Sequence, residues 1–499
     1  MNNGIKLNLL LYGIVSAVAF ICLILIQNPG ISVFLFFLIQ IASLIIILKS
    51  RIEYKNLKGL FLMLPILIIA LNSLVSSSYI LGPTNFLAIV ILYSVMFLVL
   101  NNELYFKDIG INSFLKTILN AIEPFLNFVV PFKWFAERSK NNDKNFLVKR
   151  IVIGIVISMP CALFLIIMLS SADMVFRSNF NSFLKSIEGL FEFFNAFKLI
   201  LGTFVGLYLF GHLYSVLKED EKSLAELIVS NNATKQIKGD LIVLNILLVS
   251  LLAIYTVFIA IQFKYLFSAG NLPNGLNYAE YARRGFFELV FLSILNIALI
   301  LLTTYLLKDK IYFEKNKWAL LTKFMLVYLC LITQVLLVSS FYRMSLYDSA
   351  YGFTRLRLLV YMFLIFEEVG LIATLVYIIK RNFNIIAVYA VVGLAFYLTL
   401  NLVKIDEIIA RRNIDMYLAD ETESLDIYYL TSLSFDAAPE IIRLLDEEVD
   451  FMTRNQARIY LESVEEYYSS NNDWRSYNLQ REKTKKLLVI NKDKLDFKY

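Results

Sequence analysis

The sequence predicts an all-α protein: a polytopic bundle of about eleven transmembrane helices, followed by a small helical extramembrane domain. Of its 499 residues, 59% are hydrophobic and 18% are charged, whereas soluble domains are nearer half apolar and a quarter charged. Apolar stretches near the roughly 20 helical residues that span a bilayer recur as far as residue 402. Lysine and arginine gather in every second loop between these stretches.

Eleven stretches are long enough to be spans, and together they make residues 1–402 a transmembrane domain. They are 7–27, 31–48, 60–79, 84–100, 151–172, 197–217, 241–263, 286–307, 319–340, 358–379 and 384–402. The first is not expected to be a cleaved signal peptide, because its apolar run is long and no small-residue cleavage site follows it.

The distribution of basic residues orients the spans. Lysines and arginines follow spans two, four, six, eight and ten, whereas the loops at 27–30 and 75–85 contain none. The positive-inside rule therefore predicts a cytoplasmic N-terminus and, after an odd number of crossings, an extracytoplasmic C-terminus. The richness in Ile, Leu, Phe, Asn and Lys indicates an AT-rich bacterial genome, so a bacterial cytoplasmic membrane is expected.

Two loop segments are amphipathic, with apolar residues at helical spacing. They cover residues 112–136, which contain Pro124 and Pro131, and residues 180–197. Each is predicted to be a helix lying in the membrane interface. The alternative is a helix packed against the bundle.

The chain after the last span reads as an extracytoplasmic helical domain over residues 403–485. Asp436 is a candidate cap for a helix that runs from Ala437 to Met452, and a second helix is predicted through residues 457–468. The two are expected to form an antiparallel pair capped by Trp474 and Tyr477. Residues 486–499 are predicted to be a disordered tail.

A cluster of charged and aromatic residues in the loop after span nine is the first candidate site. Arginine binds carboxylate or phosphate in a bidentate manner, so we expect an anionic lipid, an envelope polymer or an envelope protein to bind here. The alternative is an aromatic belt, with arginines paired to Asp348 and nearby acids. The candidate binding residues, including three from a second outer segment, are Glu280, Arg283, Arg284, Arg343, Tyr347, Asp348, Tyr351, Arg355 and Arg357.

Several of these runs resemble one bacterial family. Residues 278–289, 343–347 and 350–357, with the tail runs 408–414, 425–430 and 435–439, are similar to the polytopic family catalogued as domain of unknown function 4173, with its relative 4153. The run 474–479 resembles the end of that pattern, with Tyr477 where the family is expected to have Trp. The resemblance covers roughly residues 150–485 and implies a membrane location without an assigned activity.

Two carboxylates near the middle of span ten form the second candidate site. Glu367 and Glu368 lie where a charged side chain is costly, by about 2.5–3.5 kcal/mol for Asp on insertion scales. One of them is a candidate for proton or cation coupling. The alternative is a neutral, hydrogen-bonded carboxyl that locks helices together. Adjacent helical positions point about 100° apart, so both do not easily serve one site.

Known catalytic and cofactor motifs are absent from the sequence. It contains no Walker loop, no Gly-x-Ser-x-Gly and no His-Glu-x-x-His, so neither an enzyme, a cofactor nor a metal is expected. The net charge of +6 lies in short loops beside the spans, so the expected partner is the lipid bilayer and not a nucleic acid. The leading interpretation is a non-enzymatic envelope protein that binds a partner on its outer face, and the alternative is a secondary transporter.

Overall fold

The all-α prediction is confirmed by a computed structural model, which is 88% helical with no strand among the residues it describes. It describes residues 3–26, 28, 30–48, 56–78, 80–106, 109–138, 191–218, 240–266, 286–307, 311, 317–380, 382–419, 424–446, 449–470 and 473–495. Within these ranges, ten helices are long and apolar enough to cross a membrane. The remaining predicted span, 151–172, lies outside the described residues.

Eighteen α-helices are described, with short 3-10 turns between some of them. They are α1 (Asn3–Leu23), α2 (Ile31–Leu48), α3 (Met63–Val75), α4 (Gly82–Leu100), α5 (Ile111–Leu126), α6 (Val130–Arg138), α7 (Phe191–Leu217), α8 (Leu241–Leu266), α9 (Phe286–Leu306), α10 (Lys317–Tyr351), α11 (Arg355–Ile379), α12 (Ile385–Leu402), α13 (Ile405–Leu418), α14 (Ile427–Thr431), α15 (Ala438–Ile441), α16 (Phe451–Ser470), α17 (Leu479–Ile490) and α18 (Lys492–Leu495).

The chain divides into two compact units. Unit 1 comprises residues 1–75, 79–232 and 472–478, and unit 2 comprises residues 76–78, 233–471 and 479–499. Unit 1 therefore contains α1 to α7, and unit 2 contains the membrane helices α8 to α12 together with the tail helices.

In unit 1, α1 and α7 pack so closely that only glycine fits between them. A Cβ at Gly206 would lie 2.5 Å from the Gly13 carbonyl oxygen and 2.8 Å from Ala17 Cβ. A Cβ at Gly202, one turn away, would lie 2.3 Å from Ile21 Cγ1. The small residues bring two helix backbones together, which is the usual means of packing helices within a bilayer.

The amphipathic helix α5 packs against α4 and α7 of unit 1. The Tyr208 hydroxyl donates a hydrogen bond to the Ala121 carbonyl (3.1 Å), and Asn120 on the polar face of α5 is buried. Apolar residues such as Phe114 and Leu126 are exposed instead. This arrangement suits a helix whose outer face contacts lipid. Of the second predicted amphipathic segment, 180–197, only residues 191–197 are described, as the start of α7.

In unit 2, α10 continues well beyond the predicted end of its span. The sequence predicted a span over 319–340 and then a loop, but the helix runs unbroken to Tyr351. Gly352, at a φ of 71°, ends it, and α11 begins three residues later. A helix is favoured here because Met344 and Asp348 recur on one side at a spacing of four and are both buried.

The tail of unit 2 forms a compact helical domain with its own apolar core. That core includes Ile409, Ile414, Leu430, Ile441, Leu461 and Leu488. The predicted helix over 437–452 is wrong in length, since α15 is followed by a 3-10 turn that ends at Leu445 and α16 starts anew at Phe451. The helix predicted through 457–468 is part of α16.

The end of the chain also differs from the prediction. In place of disorder after residue 485, α17 continues to Ile490 and α18 extends to Leu495, and the buried side chains of Leu488 and Leu495 hold these helices to the tail core. Residues 473–478, which include Trp474 and Tyr477, group with unit 1.

Candidate functional site

The predicted outer binding residues lie where α10 meets α11. Arg343, Tyr347, Asp348 and Tyr351 are on the last turns of α10, and Arg355 and Arg357 are on the first turn of α11. The side chains of Arg343 and Asp348 are buried. Glu280, Arg283 and Arg284 lie outside the described residues.

Arg355 forms a bidentate ion pair with Asp406 on α13. Its Nε and Nη2 atoms donate to the two carboxylate oxygens at 2.6 and 2.7 Å. The backbone N–H of Ser434 donates a third hydrogen bond to the same carboxylate at 3.0 Å. Burial alone would raise the pKa of Asp406, but these hydrogen bonds and the guanidinium charge outweigh it and hold the pKa below its usual value.

Arg357 is also satisfied by groups within unit 2. Its guanidinium carbon lies 4.0 Å from the ring centre of Tyr347, and its Nε lies 3.5 Å from an oxygen of Asp348. It also donates to the Gly352 carbonyl. A pairing of arginine with Asp348 is the contact that the aromatic-belt alternative predicted.

The tail domain fixes the backbone of this segment in place. Phe353 N donates to Asn413 Oδ1 at 2.6 Å, and Asn413 Nδ2 donates back to the Phe353 carbonyl at 2.9 Å. The backbone N–H of Arg355 donates to the Tyr429 hydroxyl at 2.9 Å. The segment is therefore rigid, and Tyr351, 58% exposed, is its most accessible predicted binding residue.

An ion-pair network around Glu407 ties the tail helices together. Glu407 accepts from Lys483 at 3.1 Å and from Arg411 at 3.2 Å, and Arg411 also pairs with Glu440 at 3.0 Å. Burial acts to raise the pKa of Glu407, but Lys483, Lys404 and Arg411 more than offset it and lower the pKa. The network joins α13, α15 and α17.

Asp436 does not cap a helix as the sequence suggested. It lies fully buried in a 3-10 turn and accepts hydrogen bonds from Ser77 N and Ser77 Oγ, both at 2.7 Å, and from Ser76. Burial raises its pKa above the usual value despite these donors.

The second candidate site is a layer of polar side chains at the centres of four membrane helices of unit 2. These helices are 26, 21, 35 and 25 residues long, and each has one or two of the layer's residues within about one turn of its midpoint. We call this set the central polar layer: Tyr255 on α8, Ser293 and Asn296 on α9, Thr333 and Gln334 on α10, and Glu367 and Glu368 on α11.

Hydrogen bonds connect the members of the central polar layer. The Tyr255 hydroxyl donates to Asn296 Oδ1 at 2.8 Å, and Asn296 Nδ2 donates to Thr333 Oγ1 at 3.1 Å. Gln334 Nε2 donates to Glu368 Oε1 at 3.1 Å. The four helices are thus joined by polar contacts at the depth where such contacts are rarest.

Glu367 is the most enclosed acid of the layer, with only 4% of its surface exposed. Its Oε1 lies 2.6 Å from Ser293 Oγ, which is itself 2.7 Å from the Val290 carbonyl oxygen. Its Oε2 has no hydrogen-bond partner among the described residues. Glu368 is less buried and also has one oxygen without a partner in that part of the chain. Glu367 thus contacts α9 through Ser293, and Glu368 contacts α10 through Gln334.

The sequence identified the acids but missed most of their neighbours. Asn296 and Gln334 stand out in the sequence as polar residues inside apolar spans, whereas Ser293, Tyr255 and Thr333 are common in such helices and give little signal. Among the described residues, no group of three His, Cys, Asp or Glu side chains is arranged to hold a metal ion.

An all-α architecture with ten candidate spans and an intramembrane polar layer places the chain among multi-pass membrane proteins. More specifically, the family model described as Domain of unknown function (DUF4153) matches residues 13–444. The chain therefore belongs to family 4153. Membership of the related family 4173, which the sequence motifs suggested, is not confirmed. Neither a curated protein nor a solved structure matches the chain.

Proposed function

We propose that the protein is a proton-coupled membrane transporter in which Glu367 carries the proton. The observation that supports this is the pair of short contacts made by Ser293. A hydroxyl has one proton to donate, yet Ser293 Oγ lies within hydrogen-bond distance of both the Val290 carbonyl and Glu367 Oε1. A carbonyl oxygen has no proton, so when Ser293 donates to Val290, Glu367 must donate to Ser293.

This arrangement favours a protonated Glu367 in the state described. A neutral acid is far less costly than a carboxylate inside a bilayer, and its second oxygen stays available for a proton or a donor. Glu367 is closed off from solvent here, so release of the proton requires the packed helices to move apart. Alternation between an enclosed and an open site is the behaviour that coupling of transport to protons requires.

The direct test compares Glu367→Gln with the wild type in proteoliposomes that report internal pH. Glutamine keeps the size and a donor for Ser293 but cannot exchange a proton. We expect coupled proton flux in the wild type and its loss in Glu367→Gln. Carbonyl infrared spectra should also show a protonated carboxyl band that the variant lacks.

Glu288→Gln is the matched control, because it neutralises an exposed acid at the start of α9. It should leave both the flux and the infrared band unchanged. Unchanged flux in a folded Glu367→Gln protein would reject the proposal and leave Glu367 as a carboxyl that locks helices.

Binding of an anionic envelope component or an envelope protein on the outer face is the second candidate. The observation that favours it is the rigid α10–α11 segment, which the tail holds in place while Tyr351 and Tyr342 remain accessible. Arg343, Arg355 and Arg357 are buried or paired within unit 2, so the tyrosines are the better contacts. A reporter fused after Tyr499 that is active only in the cytosol would overturn this candidate.

A further inference from the structure

Three membrane helices of unit 1 each place a polar side chain at their centre. Tyr12 is tenth of the 21 residues of α1, Gln40 tenth of the 18 of α2, and Tyr93 twelfth of the 19 of α4. Each helix is a candidate span, so these positions lie near the middle of the bilayer. All three side chains are at most 3% exposed.

The three side chains form one cluster. Ser16, one turn from Tyr12 on α1, donates a hydrogen bond to Gln40 Oε1 at 3.0 Å. Tyr93 packs against Phe37, which is one turn from Gln40 on α2, with the two ring centres 6.4 Å apart. The cluster is therefore a polar centre enclosed by α1, α2 and α4.

Three polar groups of this cluster lack a partner in the part of the chain that the structure describes. They are the Tyr12 hydroxyl, the Gln40 amide nitrogen and the Tyr93 hydroxyl. Buried polar groups in proteins are almost always satisfied, by ordered water where no side chain serves. Within a bilayer there is no bulk solvent to compensate them.

We propose that this centre binds an uncharged, hydrogen-bonding guest, and that the guest is ordered water. The amide offers donors, and a tyrosine hydroxyl both donates and accepts, so the guest must accept at least one hydrogen bond and can donate others. Tyr12, Ser16, Gln40 and Tyr93 carry no charge, and a charged guest at this depth would lack a counter-charge. A small polyol or amide shares this chemistry, so the experiment must separate it from water.

The first measurement is the melting temperature of Tyr93→Phe in the full-length protein in nanodiscs. Phenylalanine keeps the ring and removes only the hydroxyl. If a guest bonds that hydroxyl, the melting temperature should fall by about 2 °C or more. If the hydroxyl is bare, its removal relieves an unsatisfied group, and the melting temperature should stay constant or rise. Tyr428→Phe, at a 60% exposed tyrosine, is the control and should have no effect.

The second measurement identifies the guest by radiolytic labelling in ¹⁸O water. Water next to Tyr12 and Tyr93 should introduce ¹⁸O into those rings despite their burial, whereas the equally buried Phe97 should stay unlabelled. Destabilisation without labelling, but with a small uncharged solute released on denaturation, keeps the site and rejects water. Destabilisation with neither ¹⁸O labelling nor a released solute overturns the proposal, because another part of the chain must then form the hydrogen bond with the Tyr93 hydroxyl. An unchanged or raised melting temperature overturns it as well.

Discussion

At the residue scale, the charged groups near α10 and α11 show how burial changes the role of an arginine. In a sequence, an arginine-rich segment suggests a surface for anions. In the structure, Arg355 donates two hydrogen bonds to Asp406, and the guanidinium of Arg357 stacks on the ring of Tyr347. A bidentate pair with one partner buried is worth more than an exposed pair, because removal of one member leaves the other unsatisfied.

Asp406→Asn should therefore destabilise the tail domain by about 1–3 kcal/mol at neutral pH. The native pKa of Asp406 is lowered, so its contribution is fully present above the unfolded pKa of about 3.9 and is lost as the pH falls through the lower native pKa. The difference in unfolding free energy between the wild type and Asp406→Asn should shrink in that acidic window. Denaturant titrations at several pH values measure it.

Asp415→Asn is the matched control on the same helix. Asp415 also pairs with an arginine, Arg443, at 2.8 Å, but both side chains are more than a third exposed. Its loss should cost less than about 1 kcal/mol. Equal effects of the two substitutions would show that burial does not set the strength of these pairs.

At the scale of elements, the contact between α1 and α7 depends on the absence of side chains. The nearest atoms to a Cβ at Gly206 belong to the backbone and to Ala17, which cannot rotate away. The two helices must separate to admit even one methyl group, and that separation loses dispersion contacts along their length.

Gly206→Ala should accordingly lower stability by about 1–3 kcal/mol, the usual cost of overpacking. Gly393→Ala is the control, since Gly393 also lies within a membrane helix but has open space around its Cβ position. It should be neutral or slightly stabilising, because alanine favours helix over glycine. Melting temperatures in the same detergent give the comparison, and a stable Gly206→Ala would mean that the helices are not in close contact.

The sequence predicts helices well where apolar length decides them and less well where packing decides them. Ten of the predicted spans have matching helices because a membrane span needs about twenty apolar residues. The extension of α10 to Tyr351 was missed because its polar residues read as a loop. The break before Phe451 was missed because the apolar spacing continues across it. Most residues of the central polar layer were missed as well. The depth of a residue in the bilayer is judged from the centre of its helix, and that centre is known only when both ends of the helix are known.

At the scale of the whole molecule, hydrogen bonds within unit 1 bear on the topology. Gly30 N donates to the Arg475 carbonyl at 3.1 Å, and Ile31 N donates to the Tyr477 carbonyl at 2.8 Å. Residues 473–478 thus share a side with the loop that follows the first span. That loop follows the first predicted crossing, so the positive-inside prediction of an extracytoplasmic tail expects both segments outside.

A periplasm-dependent reporter fused after Tyr499 should therefore be active, and a cytosol-dependent reporter there should be silent. The matched fusion after Lys218, in a loop that the basic residues assign to the cytoplasm, should give the opposite pair of results. Activity measured with both reporters at both sites decides the orientation. The reverse pattern after Tyr499 would place the tail in the cytosol.

The length of α10 has a mechanical consequence. Thirty-five helical residues span about 52 Å, roughly 20 Å more than the hydrocarbon layer. The same unbroken helix thus carries Gln334, beside the intramembrane acids, and Tyr347, on which the guanidinium of Arg357 stacks. Any tilt of α10 that opened the neighbourhood of Glu367 would therefore also move the far end of this helix and displace the tail domain bound there.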